Sequence, residues 1–219
     1  MNPKLLQLVS PALPVGAYSY SQGLEAAIEA GAVHDAASAA RWIGDVAGLS
    51  VASLEAPIVL RLARAWKAAD GPAVARWNGE FIASREAAEL RAEALQMGYS
   101  LRRLLRELDV AGATALDGYE ELSYPAAFAF AAAAWNIDER EALGAYLFAW
   151  MENQVLAAVK TVPLGQTDGQ RILAGLGERI AGLVDLASAL GDEELASFAP
   201  GFAIACARHE TQYSRLYRS

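Results

Sequence analysis

The chain has 219 residues, enough for one well-packed core or two small ones. Its 26 acidic side chains outnumber the 18 lysines and arginines, giving a formal net charge of −8 at pH 7, which argues against a nucleic-acid surface. A single cysteine, Cys206, excludes an internal disulfide and favours a reducing compartment, so we expect a cytoplasmic protein. Hydrophobic residues make up 54% of the chain, which is typical of a globular fold.

The N-terminal stretch SPALPVGAYSYSQGLE combines helix breakers with a cluster of tyrosines and serines. Residues 1–18 are predicted to be a flexible segment, because prolines such as Pro14 push the preceding residue out of the helical region. Ser19 followed by Gln22 fits a capping box, so the pattern predicts a helix that begins near Tyr20.

Apolar residues at helical spacing continue through most of the chain, and no stretch alternates as a strand would. The predicted helices cover approximately residues 35–49, 57–70, 73–108, 125–135, 139–160 and 170–190. The alanine-rich run 126–135 is shorter than the roughly 20 residues of a membrane span. We therefore predict an all-α fold, a single-domain bundle over residues 1–219 with roughly eight to ten helices and no membrane contact.

Two charged stretches contain residue types that could carry chemistry or bind a partner. In REAAELRAEALQMGYS (85–100) the charges recur every three or four residues, which is typical of a solvated helix face. Nothing in the sequence places its paired carboxylates Glu86 and Glu89 in a pocket. The tail CARHETQYSRLYRS (206–219) is rich in arginine and tyrosine, which are common in protein interfaces. We predict that residues from about 200 to 219 form a partner-binding tail that is loosely ordered alone.

Four blocks resemble the UreF family of urease accessory proteins and occur in the family order. They are LPVGAYSYSQGLE, REAAELRAEALQMG, the K-x-V-P-x-G-Q pattern KTVPLGQ, and ARHETQYSRLYRS. In the last block Tyr217 stands where the family commonly has phenylalanine. Together the blocks extend over nearly the whole chain.

The resemblance implies a chaperone-like, non-catalytic dimer that acts in nickel insertion during the maturation of a metalloenzyme, urease. It implies a scaffold that bridges UreD (called UreH in some organisms) and the GTPase UreG while nickel is delivered to apo-urease. Nickel and GTP would then be handled by the partners, with no cofactor bound by this chain. The absence of a G-x-x-x-x-G-K-[ST] motif agrees with this expectation.

The resemblance also indicates which residues contact partners. We expect the C-terminal residues to order on UreD/UreH, and the N-terminal turn and Lys160 to shape the adjoining functional region. The predicted partner-binding residues are Tyr18, Ser19, Glu25, Lys160, Arg208, His209, Glu210, Gln212, Tyr213 and Arg215.

Two other function classes remain open on the sequence. Cys206, His209 and Glu210 would share one face of a helix, and thiol and imidazole groups at this spacing could hold nickel or zinc, with His34 as a further candidate ligand. That would make the chain a direct nickel-binding metallochaperone. A second alternative is an all-α enzyme with a buried Arg/His/Glu cluster, which would require a deep pocket.

Overall fold

The computed structural model describes residues 2–219 and confirms an all-α single domain. Within these residues 71% of the chain is helical, no strand occurs, and nine of the eleven α-helices have seven residues or more. The helices are α1 (Pro3–Leu8), α2 (Leu24–Glu29), α3 (Ala36–Val46), α4 (Ala56–Lys67), α5 (Gly71–Ala83), α6 (Ala88–Glu107), α7 (Tyr124–Ala134), α8 (Glu139–Thr161), α9 (Gln166–Gly177), α10 (Ile180–Ala189) and α11 (Pro200–His209).

The centre of the bundle is α7, which packs mainly against α4 and α6. Its alanines are buried together with Phe128. Small side chains allow neighbouring helices to approach closely, while the ring of Phe128 meets Tyr146 of α8 edge-on at a centroid distance of 5.1 Å. The layer formed by α4 and α7, with α6 and α8 packed against α7, is the apolar core of the protein.

The helices α3 and α4 are joined by a π-helical stretch, Ala47–Glu55, into one continuous helix, Ala36–Lys67. This 32-residue helix is long and apolar enough to cross a membrane by length and composition alone. However, 72% of its most apolar window is buried inside the protein, as expected for a core helix. Asp35 caps α3 with a reciprocal Ser38 capping box, so the predicted start of this helix is confirmed.

Two predicted helices are each divided in the structure. The prediction of one helix over 73–108 is wrong, because the chain leaves the helix between α5 and α6 and turns Arg85 inward to pair with Glu55 at 2.7 Å. The prediction of a single helix over 170–190 is also wrong, since α9 ends at Gly177 and α10 begins at Ile180. Gly177 lowers the free-energy cost of ending α9 at this point, because glycine has a low helix propensity.

The predicted capping box at Ser19 and Gln22 is wrong as well. The helix α2 begins at Leu24, after Gln22 and Gly23 in left-handed conformations with φ of 50° and 74°. Gln22 cannot cap because its amide is used elsewhere: Nε2 donates to Glu93 and Oε1 accepts from the indole of Trp150. The turn is therefore fixed by distant partners.

The two ends of the chain are packed rather than projecting. In the N-terminal segment α1 buries Leu8, and Val15 is buried just before the turn. The last ten residues, 210–219, which we call the strap, run back from α11 across α2 and α6 and bury Tyr217 and Ser219. The flexible N-terminal segment and the loosely ordered tail stay predictions, since packing in one conformation does not report mobility.

Candidate functional site

The N-terminal turn and the strap meet at one surface, which we call the terminal junction. It comprises residues 18–25, residues 206–219 and the acidic side chains Glu89 and Glu93 of α6. Gly23 makes the close approach possible, because a Cβ atom there would lie 2.8 Å from the backbone nitrogen of Cys206 and its φ is positive. The junction therefore depends on glycine at this position.

Glu25, in the first turn of α2, holds the middle of the strap. Its Oε1 accepts a hydrogen bond from the backbone N–H of Leu216 at 2.8 Å, and its Oε2 accepts from the N–H of Tyr217 at 3.0 Å. A buried carboxylate needs such donors to offset the loss of hydration. The strap supplies them with its backbone, so the contact depends little on the identity of its side chains.

His209, the last residue of α11, lies between two carboxylates and is 0% exposed. Its Nε2 is 3.2 Å from Oε2 of Glu25, and its Nδ1 is 2.7 Å from Oε2 of Glu89. A carboxylate only accepts, so both contacts are hydrogen bonds when both ring nitrogens carry a proton. Arg215 of the strap donates to the other oxygen of Glu89. The ring of His209 and the guanidinium of Arg215 thus both contact the pair of carboxylates.

The end of the strap is held by the N-terminal turn and by α6. Ser219 accepts through its carbonyl oxygen from the N–H and hydroxyl of Ser21, at 2.7 and 2.6 Å. Its own hydroxyl donates to Oε2 of Glu93 at 2.8 Å. The N–H of Arg218 donates to the carbonyl of Ser19 at 2.9 Å. Residues almost 200 positions apart therefore form one backbone-paired unit.

Glu93 is the most perturbed acid of the junction. Burial raises its pKa to about 7 from an ordinary value of 4.5, although hydrogen bonds from Gln22 and Ser219 act in the opposite direction. The link from Gln22 continues to Trp150 of α8. The junction is thereby connected to the core of the bundle through a polar chain.

A cavity of about 80 Å³ lies beneath the junction, between α6, α7 and α8. Glu93 and Gln22 line one side, and the buried pair Glu55–Arg85 lines another. Tyr146 donates to Glu55 at 3.1 Å, which satisfies a further acceptor. Pockets that bind substrates or nucleotides are typically several times larger. The cavity has room for a few water molecules only.

The structure brings most of the predicted partner-binding residues together at the terminal junction. Glu25 and His209 form its buried frame, and the carboxylate of Glu210 caps α6 by accepting from the N–H of Ala88 at 2.7 Å. Others lie at the rim: the side chain of Tyr18 is 65% exposed, and Tyr213 is fully exposed. The remaining members at or near the rim are Ser19, Arg208, Gln212 and Arg215.

Lys160 is the exception among the predicted residues. It is exposed in the last turn of α8, and none of the described ion pairs or hydrogen bonds connects its side chain to the junction. Leu156, one turn earlier on the same helix, shares a shallow depression with Tyr18. Lys160 therefore lies on a surface that continues from the N-terminal turn, away from the strap.

The geometry does not arrange Cys206 and His209 as metal ligands. Burial raises the pKa of the Cys206 thiol above its usual range, which keeps it protonated, and both nitrogens of His209 already face carboxylates. Within residues 2–219 no group of three potential ligands is placed to hold an ion. His34 lies at the start of α3, beside Asp35.

Three residues that carry the junction were not singled out from the sequence for this role: Ser21, Glu89 and Glu93. The charge spacing of α6 predicts a solvated face, yet Glu93 is buried and Glu89 mostly so. The available signal was the family-like block ELRAE itself, which contains both acids. Periodicity could not reveal that the strap covers this face of α6.

Fold and site together define a class: an all-α protein whose two chain ends form a preorganised polar surface. The UreF family model matches residues 33–177. A urease accessory protein UreF from Azoarcus sp. (strain BH72) is 57% identical over 99% of this chain and 94% of that protein. One from Dechloromonas aromatica (strain RCB) is 54% identical over 99% and 96%, respectively. The chain belongs to the UreF family and is a urease accessory protein by that membership.

Proposed function

We propose that this chain is a non-catalytic scaffold of urease maturation that bridges UreD/UreH and the GTPase UreG. In this proposal it acts as a homodimer in the cytoplasm and couples the GTP cycle of UreG to nickel delivery into apo-urease. The observation that carries the proposal is the terminal junction, where a rigid hydrogen-bonded frame presents exposed tyrosine and arginine side chains.

The composition of the rim suits a protein partner. Tyr18, Tyr213 and Leu216 expose large apolar surfaces, and Arg208 and Arg215 provide charge beside them. Tyrosine and arginine are enriched among residues that dominate binding energy. Because the frame below is already fixed by the buried hydrogen bonds of Glu25, less ordering free energy would be lost on binding. We assign this rim to UreD/UreH.

Bridging requires a second surface that a second partner can reach at the same time. The face of α8 that carries Leu156 and Lys160 adjoins the N-terminal turn but is separate from the strap. We assign this face to the recruitment of UreG, next to the surface that we assign to UreD/UreH. An exposed lysine there offers a positive charge on a chain that is acidic overall.

The chain itself is proposed to hold neither nickel nor GTP. The cavity below the junction is too small for a nucleotide, and the thiol of Cys206 stays protonated under its burial. Acidic net charge also supports the absence of a nucleic-acid partner. Catalysis and metal chemistry would then belong to the proteins that the scaffold holds.

Size-exclusion chromatography with light scattering tests this function. The 23.2-kDa chain would be mixed with UreD/UreH and UreG from the same organism, with GTP and nickel present. The expected result is one complex that contains all three proteins, with two copies of this chain. Failure to form such a complex with either partner in any nucleotide state would contradict the scaffold role, and so would nickel binding to the isolated chain.

A matched pair of lysine variants tests the second surface. Lys160 and Lys67 both lie exposed in the last turn of a helix, Lys160 on α8 and Lys67 on α4. We expect Lys160→Ala to reduce the recovery of the complex and Lys67→Ala to leave it unchanged. Equal recovery with both variants would remove the α8 face from the proposal.

A further inference from the structure

We propose that the strap is a proton-dependent latch: the doubly protonated ring of His209 holds it closed, and loss of one ring proton opens it. This inference deepens the proposed function. It rests on that function only in so far as residues of the strap are also partner contacts. The latch itself is a property of the isolated chain.

The same two carboxylates hold both the histidine and the strap. Glu25 accepts from His209 and from two backbone N–H groups of the strap. Glu89 accepts from the other ring nitrogen and from Arg215. His209 therefore bridges α2 and α6 at the point where each of them grips the strap. A change in the ring acts directly on the groups that keep the strap in place.

Charged groups surround the ring on the elements packed against it. α2 contributes Glu25, α6 contributes Glu89 and, one turn further, Glu93; the strap contributes Arg215. On α11 itself Cys206 remains a neutral thiol and Arg208 is exposed, while Glu210 faces the N-terminus of α6. Around the ring, Glu25 and Glu89 are balanced by Arg215 and by the imidazolium.

Deprotonation removes this balance. A neutral imidazole has one nitrogen lone pair, which would face a carboxylate oxygen at 2.7 or 3.2 Å in a site closed to water. One hydrogen bond becomes a repulsive contact, and the two carboxylates lose the cation between them. Ionisation of Glu93 nearby adds negative charge in the same direction. Glu25 and Glu89 hold the middle of the strap, so release of this part relieves the repulsion.

Opening of the latch changes what a partner meets. Tyr213, Arg215 and Leu216 are carried by the strap, so they lie in a fixed arrangement only while it is closed. When the strap opens, the carboxylate of Glu25 loses its two backbone donors and becomes accessible to another chain. The closed and open forms therefore present two different surfaces for the same set of residues, selected by protonation.

The first experiment uses the unmodified protein, because the chain has only two histidines. Nitrogen-15 NMR of the imidazoles reports their protonation, and the exposed ring of His34 serves as the internal reference. Amide hydrogen exchange at residues 216 and 217 reports the strap, after correction for the intrinsic base-catalysed rate. Both are followed from pH 6 to pH 9.

We expect His209 to carry two N–H protons while the strap is protected. As the ring loses one, the protection of residues 216 and 217 should fall by about tenfold per pH unit, the limit for release of one proton. A neutral His209 under a protected strap would overturn the proposal. Protection that stays constant over the whole range would also overturn it.

Three glutamine variants, two at histidines and one at Glu93, refine the assignment. His209→Gln keeps a hydrogen-bond donor but does not titrate, so the pH dependence of strap opening should vanish, while His34→Gln should retain it. Glu93→Gln should leave the His209-linked step in place. If His209→Gln does not fold, the measurements on the unmodified protein still decide. None of these readouts involves UreD/UreH, so failure of the latch is distinguishable from failure of the scaffold role.

Discussion

The layer of α4 and α7 and the terminal junction are both buried, but they are held by different forces. Around α7 the contacts are alanine faces and aromatic rings, with no charge among the fully buried side chains of that helix. At the junction most side-chain contacts are hydrogen bonds to the carboxylates of Glu25, Glu89 and Glu93. Apolar burial is insensitive to pH, whereas carboxylate contacts depend on protonation. The first region provides stability, and the second provides a surface that can change.

The largest effect is expected in the apolar layer. Phe128→Ala removes a fully buried ring that contacts Tyr146, and the cavity should lower the free energy of unfolding by roughly 4 kcal/mol. Urea denaturation measures this change. Phe198→Ala is the matched control, since its ring is 79% exposed and its loss should change stability by less than about 0.5 kcal/mol. Equal effects of the two variants would contradict the proposed location of the core.

A smaller and local effect is expected at the junction. Glu25→Ala leaves two backbone N–H groups and His209 without their acceptor, which should weaken strap docking by roughly 3 kcal/mol. Amide exchange at residues 216 and 217 should accelerate by about a hundredfold, while amides of α7 keep their protection. Glu29→Ala, an exposed acid on the same helix, should change neither. Loss of α7 protection with Glu25→Ala would show that the two regions are not separable.

The third effect concerns pH and Glu93. Its pKa is raised to about 7 in the folded protein, so the native state binds this proton more tightly than the unfolded state does. The contribution of protonated Glu93 to the free energy of unfolding is fully present below about pH 4.5 and is lost as the pH rises to about 7. The slope of this loss is at most about 1.4 kcal/mol per pH unit. Glu93→Gln should remove this part of the decline, measured by urea denaturation from pH 5 to pH 8. The exposed acid variant Glu86→Gln should retain it.

The apolar region was predictable from the sequence, and the junction was only partly so. Helical periodicity indicated an all-α bundle, because this signal is local in the chain; Asp35 and Pro125 stand at the starts of α3 and α7. The break at Arg85 was not predictable, since its partner Glu55 lies 30 residues away.

At the junction the sequence indicated the right stretches but assigned some residues the wrong local role. Gln22 was expected to cap a helix and instead connects Glu93 to Trp150, and Glu93 was expected to face water. Polar side chains can pair with any complementary group that folding brings near, so their partners depend on tertiary contacts. Only the strap, from the far end of the chain, makes this face of α6 buried.

The measurement that tests the central claim most directly is the affinity for UreD/UreH of two variants, Tyr213→Ala and Phe198→Ala. Tyr213 on the strap and Phe198 before α11 are both highly exposed aromatic side chains. If the terminal junction is the partner surface, Tyr213→Ala should weaken binding by at least about thirtyfold, as for an interface hot spot, and Phe198→Ala should have little effect. Unchanged affinity with Tyr213→Ala, or a larger loss with Phe198→Ala, would contradict the account.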